Sequence, residues 1–265
     1  MSIALIAGEG ALPEIIASRL AGDDKKPFIY AMRENNDELA PNAAKIIPLF
    51  RAELESTLRD MASRGVRQVM FAGLVPKTLI YRPEMLDGMG RDFVASLVER
   101  DDHSLIGGLA NFVEMAGFEV IGYRDLLGDL LATEGHIAGR EQTEDERADV
   151  DYGREIAGKL LPLSFGQSVV ISRKSVVAVE AMEGTDATVL RAGALCRKGV
   201  LVKMMKRGQD ARYDIPIVGP QTLQLMAKAR LSCLAIQAGW TLILFPDEFS
   251  RVAGEQGVSV VGVDY

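Results

Sequence analysis

At 265 residues the chain has room for one large domain or two modest ones, and 48% hydrophobic against 25% charged residues is the composition of a globular protein rather than a disordered one. A formal net charge of −7 excludes a protein whose main partner is nucleic acid, because phosphate backbones are held by a basic footprint. Cys196 and Cys233 lie 37 residues apart with no CxxC spacing, so reduced thiols in the cytoplasm are expected rather than a zinc site or a disulfide framework.

The opening stretch MSIALIAGEG lacks the basic region of a signal peptide. No apolar run approaches the ~20 residues needed to span a bilayer, since WTLILF at 240–245 is stopped by Pro246 and Asp247. Any membrane contact is therefore expected from the side. Up to about residue 135 the sequence alternates short apolar runs with amphipathic stretches: SIALIA, a helix over 13–20, PFIYAM, KIIPLF, a helix over 52–63, QVMFAG, a helix over 101–116, and FEVIGY. Such alternation predicts a parallel sheet wrapped by helices. The highly charged tract at 138–150 reads as a linker running into a helix over 148–160. Beyond it come QSVVIS, SVVAVEAM, GVLVKMM, YDIPIVG, a helix over 222–229, CLAIQAG, WTLILF and VSVVGV, a mixed α+β pattern. The expected organisation is an α/β chain with an N-terminal parallel-sheet domain (1–137), a linker (138–150) and a C-terminal mixed α+β domain (151–265).

The first turn, IAGEGALPEIIA, leaves a strand through Gly8 and Gly10 and enters a helix near Pro13, where the missing N–H costs nothing. Amides at such a helix start attract phosphate. As a dinucleotide fingerprint it is defective, because Pro13 stands where the third glycine belongs and the second strand runs out through Tyr30, Ala31, Met32 and Arg33 instead of reaching an acid. A phosphate contact and a ligand-free turn both stay open. At Asp101, Asp102 and His103, one aspartate reads as the N-cap of the following helix.

In the second half, AVEAMEGTDA sets Glu180, Glu183 and Asp186 at a spacing of three beside Val177, Val179 and Ala181. Thr185 or Asp186 could cap the next helix. Three clustered carboxylates repel unless a cation compensates, and two compensators are available: a hard divalent ion such as Mg²⁺, or a network with Arg191, Lys203 and Lys206. Lys203, Lys206, Arg207 and Arg212 follow an apolar strand, with Asp210 and Asp214 close by. Cations beside carboxylates suit phosphoryl transfer, in which the cations neutralise phosphate oxygens and an acid orients water. Pro216 restricts the backbone after Asp214 to an extended path. The segment 74–90 reads as a loop whose Leu79, Ile80, Met85, Leu86 and Met89 would line an acyl groove or pack in a core.

Taken together, AGEGALPEIIA, FAGLVPKTLIYRP, AVEAMEGTDA, VLVKMMKRGQDARYD and DIPIVGPQT resemble the LpxI family of UDP-2,3-diacylglucosamine pyrophosphatases, nearly end to end and in the same order. The resemblance implies a Rossmann-like N-terminal domain and a Mg²⁺-dependent hydrolase that splits UDP-2,3-diacylglucosamine into UMP and 2,3-diacylglucosamine 1-phosphate (lipid X). It also implies that Asp214 is essential. On that basis Glu180, Glu183 and Asp186 are expected to hold Mg²⁺, and Lys203 and Lys206 to offset charge beside Asp214. Substrate contacts are expected from Gly8, Gly10, Leu12, Pro13, Gly73, Arg191, Gln209, Arg212 and Thr222. The sequence departs from the family pattern at Leu74, Arg207 and Ile217, which replace a basic residue, a proline and a threonine. A lipid-linked substrate implies peripheral association with the cytoplasmic leaflet of the inner membrane, and a homodimer stays open. The rival readings are a soluble nucleotide-sugar pyrophosphatase or transferase, and a non-catalytic nucleotide- or lipid-binding module.

Overall fold

The computed structural model describes residues 2–23, 25–49, 53–74, 87–96, 102–164, 166–206 and 208–264. They form two compact units: Met1–Leu127 with Asp210–Asp214, and Gly128–Gln209 with Ile215–Tyr265.

The first unit runs β1 (Ser2–Ala7), α1 (Leu12–Gly22), β2 (Phe28–Ala31), β3 (Lys45–Pro48), α2 (Leu54–Ser63), β4 (Val66–Ala72), α3 (Gly88–Ser96), α4 (Asp102–Met115) and β5 (Glu119–Val120). Its five strands are parallel in the order β3-β2-β1-β4-β5. That is the strand order of doubly wound sheets, with the first strand central. A central parallel strand is covered on both faces, which is why SIALIA is a continuous apolar run, buried from Ile3 to Ala7, rather than an alternating one. Helix α1 starts with Pro13 in its first turn and buries Leu12, Ile16 and Leu20 at helical spacing. Tyr30, Met61, Phe71 and Val113 are among the core side chains.

The second unit runs β6 (Gly135–Ala138), α5 (Glu144–Leu160), β7 (Ser168–Ser172), β8 (Ser175–Val179), α6 (Gly184–Leu195), β9 (Val200–Lys203), β10 (Ile217–Val218), α7 (Pro220–Lys228), β11 (Cys233–Gln237), β12 (Leu242–Ile243), α8 (Pro246–Gln256) and β13 (Ser259–Val263). Six strands form a mixed sheet, β6-β13-β11-β9-β7-β8, in which β9, β11 and β13 are parallel while β6, β7 and β8 pair antiparallel. Cys196 and Cys233 are both free thiols.

Three sequence expectations change. Residues 138–150 are not a linker: Ala138 ends β6, and α5 begins at Glu144, before the expected 148. A capping box fixes that start, with Thr143 Oγ1 accepting from the Glu146 amide (3.2 Å) and Glu146 Oε2 accepting from the Thr143 amide (2.9 Å). The charge that suggested a linker is partly internal. Glu146 is buried and takes two bonds from Arg140 and one from Ser232 Oγ. The chain's division between units accordingly falls at Leu127/Gly128 instead of 137. Helices α3 and α8 and strand β6 also stand where none is expected from sequence, and α3 takes up Met89 from the segment read as a loop. Leu79, Ile80, Met85 and Leu86 lie outside the described residues.

Candidate functional site

The end of β9 carries a connected set of polar side chains. Lys203 is buried, and its ammonium donates to Thr185 Oγ1 at 2.9 Å. The Thr185 hydroxyl in turn donates to Glu180 Oε1 at 2.9 Å, and Ser168 Oγ on β7 lies 3.4 Å from it. Strand pairing explains the meeting: Ser168 and Lys203 are register partners across β7 and β9, and the Glu180 amide, just past β8, bonds to Ser168 O. The other oxygen of Glu180 accepts from the Gln167 amide at 3.3 Å. A Cβ on Gly166 would sit 2.3 Å from Glu180 O, so only glycine lets this loop pass so close. Cation, hydroxyl and carboxylate thus form one chain, with the ammonium held near its counter-ion by a neutral relay. A charge buried in this way needs such partners.

The remaining acids serve other partners. Glu183 Oε1 accepts from Arg191 at 2.6 Å and from Thr188 at 3.2 Å, and Arg191 also donates to Val179 O. A hydrogen bond from its own backbone amide, then the Arg191 guanidinium, hold the Glu183 carboxyl below the usual carboxylate range. The first residue of α6 is Gly184, so Thr185 and Asp186 lie within its first turn and neither is the N-cap; that position belongs to Glu183, which makes no side-chain cap bond. Asp186 is exposed. Among the described residues no group of three or more His, Cys, Asp or Glu side chains is gathered to hold a metal. Glu180, Glu183 and Asp186 therefore do not fit a three-carboxylate Mg²⁺ cage, and the protein's own cations compensate the first two.

Lys206 donates to Ser164 Oγ at 2.6 Å, and its amide donates to Gln209 Oε1 at 3.1 Å. Thr222 sits in the first turn of α7, where its hydroxyl accepts from the Gly219 amide at 3.3 Å. The local structure thus gives Thr222 a helix-capping task.

In the first unit the glycine turn is zipped to the loop after β4. The amides of Gly8 and Glu9 donate to Ala72 O (2.8 Å) and Leu74 O (2.9 Å), and the Leu74 amide donates back to Glu9 O (2.9 Å). A Cβ on Gly8 would fall 2.5 Å from Leu74 O, and one on Gly73 2.7 Å from Glu9 O. Gly8, Gly10, Gly73 and Pro13 do come together, but the two glycines at the contact serve backbone approach, and Leu12 and Pro13 are buried. Amides already bonded to carbonyls do not cradle a phosphate. Arg33 closes the turn, reaching Gly10 O (3.1 Å) and Glu14 (2.9 Å).

Segment 210–214 also belongs to this unit. Arg212 forks onto Asp210 (3.0 and 2.7 Å) and reaches Glu114 Oε1 at 2.6 Å. These bonds raise the Arg212 pKa and hold Asp210 below its ordinary value, so the guanidinium expected to meet substrate anchors its own loop instead. Tyr213 packs edge-on against Phe71, with ring centroids 6.4 Å apart at 83°. Half-buried Asp214 closes the segment, its amide 3.3 Å from Asp210 O.

One unit with a parallel sheet and a closed glycine turn, and another with a mixed sheet and a buried lysine held on a hydroxyl, make this a two-part α/β protein without a dinucleotide-binding turn. Residues 2–130 match the LpxI N-terminal domain and residues 133–261 the LpxI C-terminal domain, and the chain belongs to the LpxI family. A relative from Caulobacter vibrioides, named UDP-2,3-diacylglucosamine pyrophosphatase LpxI, is 29% identical over 277 residues, covering 99% of this chain and 97% of that protein. The chain is accordingly a hydrolase.

Proposed function

We propose that the chain hydrolyses the pyrophosphate bond of UDP-2,3-diacylglucosamine, adding water across the phosphoanhydride to give UMP and 2,3-diacylglucosamine 1-phosphate (lipid X) in lipid A synthesis. The observation that carries this reading is the buried Lys203, fixed by Thr185 and Glu180, in a chain whose halves match both LpxI domains in order. The ammonium groups of Lys203 and Lys206 offset charge on the pyrophosphate oxygens. Asp214 orients or deprotonates the attacking water.

Mg²⁺ is proposed as the cofactor, supplying charge neutralisation when bound. Since no protein cage is gathered for it among the described residues, its oxygen ligands would come largely from the substrate's phosphates, as is usual for this ion. No described helix is long and apolar enough to cross a membrane, and a diacylated substrate places the enzyme peripherally on the cytoplasmic leaflet.

The test is direct. Purified protein with the diacylated UDP-sugar is expected to release UMP, to stop on addition of chelator, and to resume with Mg²⁺. Asp214→Ala is expected to lose at least ~10²-fold in kcat, the scale of removing a group that moves a proton in the transition state. Near-parental turnover by Asp214→Ala would remove Asp214 from this role, and equal turnover of UDP-GlcNAc would replace the lipid substrate by a soluble one.

A further inference from the structure

The outer face of α6 is apolar where a surface helix is ordinarily charged. Val189 and Ala192 on its inner face join the core with Val170 of β7 and Leu201 of β9. Ala187, Leu190 and Ala194, spaced by three and four, consequently stand on the opposite side and are exposed. Exposed Met182 precedes the helix, and Leu195, 68% exposed, ends it. An exposed leucine standing singly needs no explanation, but an apolar row along one helix does.

Cations gather at the C-terminal end of that row. Pairing of Ile171 with Val200 sets loop 196–199 beside the β7–β8 turn, and the Lys198 amide donates to Arg230 O, just past α7, at 2.8 Å. Arg173, Lys174, Arg197, Lys198 and Arg230 thus share one end of the unit. All five are exposed, and none has an ion pair among the described residues. Acids do not cancel them. Asp149 is buried and taken up by the amides of the β7–β8 turn, Glu183 is paired with Arg191, and exposed Asp186 lies at the other end of the helix. Helix α5, which begins with exposed Glu144 and Asp145, packs through Val150 and Ala157 on Val169 and Val202, the opposite face of the sheet from α6.

In a chain of net charge −7, such a cluster admits an anionic partner at one place while the remaining surface repels it. An apolar helix face ending in cations is the composition of a helix lying in a bilayer interface, its apolar side chains at the acyl boundary and its cations on anionic headgroups.

We infer that the second unit docks on an anionic lipid leaflet through the outer face of α6 and the basic turns at its end, an inference that rests on the lipid-linked substrate proposed above. Docking has a consequence for the site. Helix α6 has 12 residues, a length of about 18 Å, and Thr185 in its first turn holds the Lys203 ammonium. With the helix along the bilayer surface, that turn stands at headgroup depth, where the pyrophosphate of a lipid-linked nucleotide resides.

Two variants separate charge from apolar contact: Lys174→Asn/Arg197→Gln/Lys198→Asn, in which asparagine suits the positive φ at 174 and 198, and Leu190→Gln/Leu195→Gln. The intact protein is sedimented with vesicles of phosphatidylcholine alone or in equal parts with phosphatidylglycerol, without substrate. The parent is expected to bind the anionic vesicles and to be released by salt. Its partition is expected to fall roughly 100-fold in the charge variant, with a shallower salt dependence, and at least ~10-fold in the leucine variant. Both variants are expected to match the parent on detergent-dispersed UDP-diacylglucosamine and to fall behind it when that substrate is embedded in the anionic vesicles, with melting temperature reporting that each folds. Absence of parent binding to anionic vesicles, or equal binding by folded variants, would overturn the inference. So would a parent that light scattering finds dimeric and the leucine variant monomeric, since a second copy would then cover this face. Failure of the proposed function looks different: vesicle binding still depends on these residues, while the parent releases no UMP from either form of the substrate.

Discussion

Thr185 shows how much of a site a single hydroxyl can organise. It accepts from Lys203 and donates to Glu180, so it sets the direction of a buried ammonium and links it to a carboxylate. Replacing it with valine keeps the shape and removes the relay. A hydrogen bond to a charged group is worth about 1.5–3 kcal/mol, so Thr185→Val is expected to lower kcat roughly 10- to 100-fold with a smaller change in KM, and Thr185→Ser to restore most of it. Loss of melting temperature with equal activity in the valine and serine variants would mark the hydroxyl as merely structural. Sequence spacing points to this residue only as a helix cap, because Ser and Thr before an apolar run usually serve that purpose. Its true role comes from the register of β7 against β9, which brings Ser168 opposite Lys203 and which no spacing along the chain encodes. The three acids were legible as charges needing partners; that two of the partners are Arg191 and the Thr185 hydroxyl follows from packing.

Among elements, the β7–β8 hairpin is the clearest case of tertiary structure deciding local form. Arg173 and Lys174 both adopt left-handed conformations, φ 53° and 54°, where glycine or asparagine is usual in a two-residue turn. Asp149, buried on α5, makes this tolerable by accepting both amides, at 2.8 and 2.6 Å. Asp149→Ala is expected to cost about 3 kcal/mol, the loss of two bonds to a charged acceptor, measured as a shift in urea midpoint. Adding Lys174→Gly to that variant is expected to recover part of the loss by relieving the turn. Asp149 lies in the tract that reads from sequence as a linker. Its charge suggests solvent, whereas the fold uses that charge inside to hold a turn.

The parallel sheet was legible because buried parallel strands must be apolar throughout, and SIALIA, PFIYAM and QVMFAG satisfy that on sight. Helix α8 was not, since PDEFSRVAGEQ opens with a proline that reads as a stop after WTLILF and buries just Phe249, Val252 and Ala253. Proline in a first turn begins a helix as readily as it ends a strand.

For the molecule as a whole, acid stability turns on Glu146. Burial alone would push its carboxyl upward, but hydrogen bonds from Arg140, Ser232 and the Thr143 amide prevail and bring it down to about 2. A carboxyl depressed from an ordinary 4.5 to about 2 stabilises the folded chain fully above pH 4.5, and that stabilisation fades as pH falls toward 2. The amount at stake is roughly 3 kcal/mol. Comparing urea midpoints at pH 6 and pH 3, the parent is expected to lose markedly more than Glu146→Gln over the same interval. Equal losses would place the acid sensitivity elsewhere.

The excursion of residues 210–214 into the first unit bears on how this protein can change over generations. Five residues encoded amid the later half of the gene are fitted to Glu114, Phe71 and Gly122 of the earlier half, where a Cβ at 122 would stand 3.0 Å from Arg212 Cα. A crossover between related genes at the 127/128 boundary would import a foreign 210–214 into a host lacking its matching surface. Descent is thereby constrained to alter both halves together.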